Sequence, residues 1–294
     1  MPHTKKNKPP KVYILIPIHN NITETRKCLG CIHDQTYTNY EVIVIDDGST
    51  DNSSDIIRTE FPGTTILPGD GNLWWAGALY EGIEYVLKKA ETCDYVLTLN
   101  NDLVFDSNYI NILIEAGENN PDAIIGSLCL DQESGVIVDS GVVIDWKRLA
   151  FDLKDIGDDK DDFIRDIDVL STRGTIFPIN VILDIGNFIP NKLRHYLSDY
   201  EYPIRAKKHG FTLLTSKKAI AYLNSRRTGF HISIDKKTTL SDIYKSIFSI
   251  KSSSNLKSWI IFIHLCCPLK YKLICYSTLI GKRMKWAIKY IFRF

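Results

Sequence analysis

The segment Tyr95–Phe105 (YVLTLNNDLVF) constrains the fold most, because an apolar run in it stops abruptly in polar side chains. A continuous apolar run of this kind is typical of a central strand that is covered on both faces. Asn100, Asn101 and Asp102 then place oxygen-bearing side chains at the carboxyl edge of the predicted sheet. Open α/β sheets bind their ligands at that edge. The segment therefore predicts an α/β protein with a ligand site beside this strand.

Two earlier segments have the same character. Lys11–Asn20 (KVYILIPIHN) is a β-branched run, and Glu41–Ser49 (EVIVIDDGS) stops in acidic residues and a turn glycine. The spacing of Ile22–Thr36 between them is compatible with an amphipathic helix. Strand, helix and strand in about forty residues form a βαβ unit, whose crossover we expect to be right-handed. The same patterns predict helices over Asp51–Phe61 and Ala76–Ala90 and a strand over Ile167–Leu170.

Six motifs follow one another in the order that one known family uses. They are IPIHN at Ile16–Asn20, VIDDGSTD at Val44–Asp51, GNLWWAGA at Gly71–Ala78, LNND at Leu99–Asp102, STRGTIFP at Ser171–Pro178 and HYLSDYEYPIRAKKHGF at His195–Phe211. On these motifs the chain resembles the family 2 glycosyltransferases, which have the nucleotide-sugar-binding GT-A fold. The resemblance implies a Rossmann-like mixed central sheet flanked by helices. The GNLWW and RGT-to-DYEY pattern is similar to a bacterial, rhamnosyltransferase-like subgroup linked to capsule or O-antigen polysaccharide.

The donor site follows from this resemblance. Asp46 matches the nucleotide-binding aspartate, although Asp46 and Asp47 together could simply form a turn before a helix, a role that we favour for Asp47. The full set expected around the nucleotide sugar is Pro17, His19, Asn20, Asp46, Asn72, Trp75, Gly77, Asn100, Asn101, Arg173 and Gly174.

The resemblance also implies a divalent metal, Mn²⁺ or Mg²⁺. Asp102 is the expected ligand, and His231 matches a histidine that related enzymes supply to the metal. The family pattern is often Asp-x-Asp, and this chain has Asn100 at the first acidic position. An amide oxygen coordinates hard cations without contributing charge. The substitution therefore removes one negative charge from the expected metal site, which leaves the affinity for the metal open.

By the same resemblance, Asp199 is the base that takes the acceptor proton, and Glu201 is its acidic partner. Both residues open a predicted helix, where the dipole favours the carboxylate while burial disfavours it. The alternative is a pair of acids that merely stabilises a helix start. The residues expected to contact the acceptor are Trp74, Thr175, His195, Tyr200 and Glu201.

Charge divides the chain into an acidic body and a basic tail. From Ile243 to Phe294 there is no Asp or Glu and there are ten Lys or Arg, which leaves 26 basic and 35 acidic residues in Met1–Asp242. This balance is not typical of a nucleic-acid-binding protein. We expect a disordered lead-in over residues 1–10, a glycosyltransferase domain over 11–231 and a helical tail over 232–294. Within the domain, 11–105 would hold the nucleotide sugar and 106–231 the acceptor.

The tail interleaves basic residues with aromatic and aliphatic ones, and no apolar run in it reaches the length of about twenty residues that spans a bilayer. Such a pattern fits helices that lie on an anionic membrane surface through residues 243–294. A helical cap docked on the enzyme, or used in a homodimer, is the alternative. Seven cysteines and no apolar N-terminal signal predict a cytoplasmic protein, peripheral at the inner face of the cell membrane.

Together these patterns predict an inverting, metal-assisted glycosyltransferase that uses a UDP- or dTDP-linked sugar and a glycan or lipid-linked acceptor. Two other classes stay open at this stage. One is a nucleotide-sugar-binding scaffold in a membrane assembly, which Asn100 and the basic tail suggest. The other is a nucleotidyltransferase, which would need a glycine-rich basic phosphate loop where this chain has Pro17–Ile22.

Overall fold

The structure is a computed structural model that describes residues 9–157, 160–224 and 240–292. Most of the predicted lead-in lies outside these residues, and so does His231. The strands are β1 (Val12–Ile18), β2 (Tyr40–Asp46), β3 (Thr65–Pro68), β4 (Tyr95–Thr98), β5 (Val104–Phe105), β6 (Ala123–Asp131), β7 (Ile137–Asp139), β8 (Val142–Asp145), β9 (Ala150–Leu153), β10 (Phe163–Ile164), β11 (Thr175–Pro178) and β12 (Thr212–Leu223). The helices are α1 (Ile22–His33), α2 (Ser53–Glu60), α3 (Trp74–Leu87), α4 (Tyr109–Asn119), α5 (Ile179–Ile185), α6 (Ser198–Lys208), α7 (Leu240–Phe248), α8 (Leu256–Cys266) and α9 (Lys272–Phe292).

One mixed sheet dominates the architecture, as predicted. Its strand order is β10-β12-β6-β11-β4-β1-β2-β3. Strands β4, β1, β2 and β3 run parallel to one another, while β11 is antiparallel to both β4 and β6. The four parallel strands therefore share one carboxyl edge, and the antiparallel strand β11 begins at that same edge.

The sheet is buried on both faces because its central strands are apolar throughout. Along β1, Ile14 and Ile16 pack into a core cluster on one face, and Tyr13 and Leu15 pack into a second cluster on the other. Every residue of β1 and β4 is buried. This alternation follows from the two-residue period of a strand, and it confirms the central position predicted for the run before Asn100.

The predicted helices are confirmed with bounds that differ by at most three residues, and one predicted strand is wrong. The segment Ile167–Leu170 makes only an isolated bridge, from Val169 to Val142. Its apolar side chains are buried by packing against glycines: a Cβ on Gly126 would lie 2.7 Å from Leu170 Cδ2. Apolar character in this segment reflects side-chain packing rather than a sheet ladder.

The register between β4 and β11 fixes the centre of the molecule. Thr98 pairs with Thr175, and the Gly174 amide donates a hydrogen bond to the Thr98 carbonyl at 3.0 Å. Gly174 has a φ of +71°, and a Cβ there would lie 2.2 Å from Tyr109 Oη and 2.9 Å from Ser127 Oγ. Its glycine character therefore serves internal packing, and a contact of Gly174 with the donor stays a prediction.

The tail packs against the rest of the protein in the part that the structure describes. Helix α8 packs on α6 and on the β8–β9 hairpin through Phe151, Trp259 and Phe262, whose ring centroids lie 5.4–6.0 Å apart. This arrangement is the docked helical cap. None of the helices in the described ranges is long and apolar enough to cross a membrane. Contact with a membrane surface stays a prediction.

The packing at Gly174 yields a stability prediction. Gly174→Ala should lower the free energy of unfolding by about 1–2 kcal/mol for the left-handed backbone and by about 1–3 kcal/mol more for the overlap with Tyr109. Gly135→Ala is the matched control, because Gly135 has a φ of +68° and nothing within 4 Å of its Cβ position. Urea unfolding should give the control variant the backbone cost alone. Equal losses in the two variants would contradict the packing argument.

Candidate functional site

A cavity of about 350 Å³ opens at the carboxyl edge of the parallel strands, and we call it the first cavity. Four of the predicted donor-site residues line it, namely Pro17, His19, Trp75 and Asn101. Trp74 and His195 of the predicted acceptor set also line it, and Asp47 and Lys251 add charged groups. The predicted edge of the sheet is therefore a real concavity, with residues from both expected sets in its wall.

Asp47 holds one wall of the first cavity in place. Its buried carboxylate accepts hydrogen bonds from the backbone amides of Gly71 at 2.9 Å, Leu73 at 3.0 Å and Trp74 at 2.8 Å. His19 Nδ1 donates to the Asp47 carbonyl at 2.7 Å. Asp47 thus organises the loop before α3 and also lines the cavity, a larger role than the turn that the sequence predicted for it.

Asp46 is buried beside this wall and lines neither of the cavities described here. Its carboxylate accepts hydrogen bonds from the Ser49 amide at 2.8 Å and from the Ser54 hydroxyl. Asn20 Oδ1 accepts from the Thr50 amide at 2.8 Å. Both side chains hold the loop after β2, and a direct contact of either with a nucleotide stays a prediction.

The two tryptophans lie in the first turn of α3 and differ in role. Trp74 has a φ of +57°, an unusual backbone conformation for a bulky residue, and its ring centroid lies 5.4 Å from that of His195. Trp75 Nε1 donates to Thr172 Oγ1 at 2.9 Å, which ties α3 to the loop before β11. Asn72 is exposed and Gly77 packs against Leu73, and neither lines the cavity.

His195 is neutral at physiological pH in this setting. Burial lowers the pKa of its imidazole to about 4, and its buried Nδ1 atom has no hydrogen-bond partner among the described residues. A neutral histidine can donate or accept a hydrogen bond with a ligand. It adds no positive charge to the first cavity.

A second cavity of about 450 Å³ is lined by Tyr196, whose ring centroid lies 4.5 Å from that of His195 in the first cavity. Its wall combines charged groups with aromatic rings. The charged and hydroxyl-bearing residues are Asp139, Ser171, Arg173, Asp199 and Ser253, and the aromatic residues are Phe151, Tyr196, Tyr200 and Trp259. Neighbouring residues around the start of α6 therefore line both cavities, His195 the first and Tyr196, Leu197 and Asp199 the second.

Asp199 lies in the first turn of α6 and lines the second cavity. Burial raises the pKa of its carboxyl to about 6, although the nearby Arg173 charge and backbone hydrogen bonds lower it. A carboxyl with a pKa near neutrality can both accept and release a proton at working pH. Burial thus outweighs the helix dipole, which resolves the two opposing effects expected from the sequence.

Glu201 is engaged elsewhere. It is 5% exposed and pairs with Arg205 in the same helix through contacts of 2.9 and 3.0 Å. Arg205 also donates to the Asn187 carbonyl at 3.0 Å, so the pair anchors α6 to the loop after α5. Thr175 is 1% exposed within β11, and neither Thr175 nor Glu201 lines a cavity.

The polar residues after β4 offer an oxygen set for a divalent cation. Burial raises the pKa of the Asp102 carboxyl, and the Arg173 charge offsets part of this increase. Asn100 Oδ1 is buried and has no hydrogen-bond partner among the described residues. One carboxylate and one unpaired amide oxygen suit Mg²⁺ or Mn²⁺ that takes its remaining ligands from water and phosphate. No cluster of three or more His, Cys, Asp or Glu side chains suited to a metal occurs in the described ranges.

The tail contributes residues that the sequence motifs did not predict. Lys251 lines the first cavity, while Ser253 and Trp259 line the second. Phe151 reaches the second cavity from the β8–β9 hairpin. These residues belong to no motif, and only their position in the folded chain shows their proximity to Asp199. A basic tail rich in aromatic residues was the one signal available.

Comparisons with known proteins agree with this architecture. Residues 13–139 match the sequence profile described as Glycosyl transferase family 2. The glycosyltransferase GlyA of Streptococcus pneumoniae serotype 4 is 44% identical over 105 residues, which is 35% of this chain and 14% of that protein. This chain therefore spans only a small part of that relative's length.

Two solved structures share the fold at low sequence identity. GalNAc-T7, solved with UDP, GalNAc and Mn²⁺, has a TM-score of 0.59 at 12% identity, over 74% of this chain and 44% of that one. The mannosyltransferase PcManGT from Pyrobaculum calidifontis, in complex with GDP-Man and Mn²⁺, has a TM-score of 0.54 at 15% identity, over 76% and 60%. Both likenesses confirm the predicted GT-A fold. The profile match supports a family 2 glycosyltransferase, and the rhamnosyltransferase-like subgroup stays a prediction.

Proposed function

We propose that this chain, whose residues 13–139 match family 2 glycosyltransferases, is an inverting hexosyl- or deoxyhexosyltransferase. It moves a sugar from a UDP- or dTDP-linked donor to an acceptor hydroxyl. The observation that carries this proposal is a pair of cavities lined by neighbouring residues around the start of α6, with His195 in the wall of the first and Asp199 in the wall of the second. A reaction between two bound substrates needs such adjacent sites and a base beside the acceptor.

The donor fits the first cavity. Pro17 and His19 border it on the β1 side, and Trp74 and Trp75 border it on the α3 side. The flat faces of aromatic rings suit a nucleobase or a sugar ring. UDP- and dTDP-linked rhamnose, galactose and glucose are all compatible with this reading.

Asp199 acts as the base in this proposal. Its carboxylate accepts the proton of the acceptor hydroxyl while that oxygen attacks the anomeric carbon from the face opposite the diphosphate. The bond to the diphosphate breaks through a transition state with oxocarbenium character, and the anomeric configuration inverts. The positive charge of Arg173 lowers the pKa of both Asp199 and Asp102. Its guanidinium therefore acts electrostatically on the base and on the cation-binding residues.

Asp102 and the unpaired Oδ1 of Asn100 would hold the divalent cation, with His231 as a further predicted ligand outside the described residues. When bound, Mn²⁺ or Mg²⁺ supplies Lewis-acid stabilisation to the departing diphosphate. The two relatives solved with Mn²⁺ support this kind of cofactor.

The acceptor fits the second cavity, because sugars stack on aromatic rings and Phe151, Tyr200 and Trp259 line it. We infer a bacterial surface glycan or a lipid-linked oligosaccharide as the acceptor. A catalytically silent scaffold would have no use for an acid of raised pKa beside a second cavity. A nucleotidyltransferase is less favoured, because Pro17–Ile22 is not a glycine-rich phosphate loop.

We also propose that the tail binds an anionic membrane surface at the cytoplasmic face. Leu269, Leu273, Ile280 and Met284 are 57–84% exposed. Residues 243–294 contain no acidic side chain. Exposed apolar side chains among lysines fit the interface of an anionic bilayer.

Replacing the base gives the most direct test of the reaction. Asp199→Asn should lower kcat by about 10²-fold or more, while the affinity for the donor changes little, because Asp199 lines the second cavity and not the first. Asp55→Asn, an exposed change on α2, is the control and should keep full activity. Sugar transfer would be measured with purified chain, and unchanged turnover in Asp199→Asn would remove Asp199 as the base.

The pH profile gives a second, independent readout. Because the base works as the carboxylate and its pKa is raised to about 6, activity should be half-maximal near pH 6, approach its maximum at higher pH and fall as the pH drops through that value. The slope below pH 6 should approach about tenfold for each pH unit. The acid limb should be absent from the residual activity of Asp199→Asn. A limb centred near pH 4 would contradict the desolvation of this carboxyl.

Membrane contact is tested by sedimentation with phosphatidylglycerol vesicles. The double change Leu269→Ser and Leu273→Ser should reduce the bound fraction, since it removes exposed apolar area from the tail. Leu183→Ser is the matched control, because Leu183 is 58% exposed on α5, outside the tail. Binding that is equal for phosphatidylglycerol and phosphatidylcholine vesicles, or unaffected by the double change, would contradict the proposed surface.

A further inference from the structure

The first cavity carries little positive charge of its own. Its titratable lining residues are His19, Asp47, His195 and Lys251. Asp47 is an acid, and His195 is neutral because burial lowers its pKa to about 4. Lys251 is therefore the only Lys or Arg in the described lining of the cavity that we assign to a diphosphate-linked donor.

Local hydrogen bonds fix the turn that carries Lys251. Ser252 Oγ donates to the Ser246 carbonyl at 2.6 Å, and Asn255 Nδ2 donates to the Phe248 carbonyl at 2.9 Å. Trp259 Nε1 donates to the Ser253 carbonyl at 2.9 Å. Because the Trp259 ring also packs against Phe151, with centroids 5.4 Å apart, the turn is anchored to the body of the protein.

The Lys251 side chain is exposed, and no hydrogen bond or ion pair of its ammonium group occurs among the described residues. Lys207 differs in this respect, because its ammonium group pairs with Asp168 at 2.7 Å. A lysine at the mouth of a cavity with no partner from the protein is available to an anionic ligand.

We propose that Lys251 binds the diphosphate of the nucleotide-sugar donor, so that the tail completes the donor site. This inference rests on the proposed function. A lysine ammonium is a compact point charge that pairs well with phosphate oxygens. Negative charge grows on the diphosphate as the bond to the sugar breaks, and a fixed cation stabilises that charge. Since Asn100 contributes no charge to the cation-binding residues, Lys251 supplies positive charge that does not depend on the metal.

The inference makes a specific statement about ligand chemistry. Lys251 should distinguish ligands by their terminal phosphate, because its ammonium group would pair with the diphosphate and not with the base or the ribose. Its contribution should therefore be larger for UDP than for UMP. It should also persist in the absence of divalent cations and weaken as salt concentration rises.

Calorimetric titration of the full chain with UDP, dTDP and UMP tests the proposal, with and without Mn²⁺. Lys251→Ala should weaken the binding of the preferred nucleoside diphosphate by about tenfold, and the binding of UMP by clearly less. Lys251→Arg should retain most of the affinity, because it keeps the charge. Lys257→Ala is the control, since Lys257 is an exposed lysine on α8 that lines neither cavity.

The outcomes separate this inference from the proposed function. If the unaltered chain binds UDP or dTDP and Lys251→Ala binds it equally well, Lys251 is not a diphosphate ligand and the proposed function stands. An equal loss of affinity for UDP and UMP would also overturn the inference. It would indicate that the substitution disturbs the conformation of the turn and does not remove a contact with the terminal phosphate. If the unaltered chain binds neither UDP nor dTDP, with or without Mn²⁺, both the donor assignment and the inference fail.

Discussion

The site depends on the register between two central strands of opposite direction. Because Thr98 of β4 pairs with Thr175 of β11, the polar residues that follow one strand lie beside the residues that precede the other. Arg173 is for this reason close enough to lower the pKa of the Asp102 carboxyl. The close packing of Gly174 against Tyr109 and Ser127 permits this register, since any side chain at that position would overlap them. A packing constraint inside the sheet thus determines the electrostatics at its edge.

The tail joins the body of the protein through an aromatic cluster and, in doing so, reaches both cavities. Trp259 packs against Phe151 and Phe262 and also lines the second cavity. Lys251, eight residues earlier, lines the first. The docked cap and the membrane-facing surface were alternatives on sequence grounds, yet they are compatible. One side of the tail packs on the enzyme while Leu269 and Leu273 stay exposed on the outside.

Much of the fold could be predicted, because the spacing of apolar residues and the polar residues at the ends of strands are visible in short segments of the sequence. The β-branched runs before Pro17 and Asp46 are buried parallel strands, and the run before Asn100 is the central one. The segment Ile167–Leu170 was predicted wrongly, because apolar side chains that pack against Gly126 and Gly141 resemble those of a strand in a sequence.

The site itself was predictable in part. Asp199 and the first-cavity residues lie in motifs, whereas Lys251 and Trp259 become neighbours of the site only through long-range packing. The distinction between Asp46 and Asp47 was also beyond local reasoning. Both are buried, and only the hydrogen bonds of the folded loop show that Asp47, not Asp46, borders the cavity.

The central claim is that this chain binds a nucleotide-diphosphate sugar as its donor. The most direct measurement is thermal stability against a panel of UDP-, dTDP- and GDP-linked sugars, each with and without Mn²⁺. A ligand at a hundred times its dissociation constant should add about 2.7 kcal/mol to the free energy of unfolding. The account predicts that a UDP- or dTDP-linked sugar raises the melting temperature, and more so with Mn²⁺. A folded chain whose melting temperature no sugar nucleotide changes would contradict it.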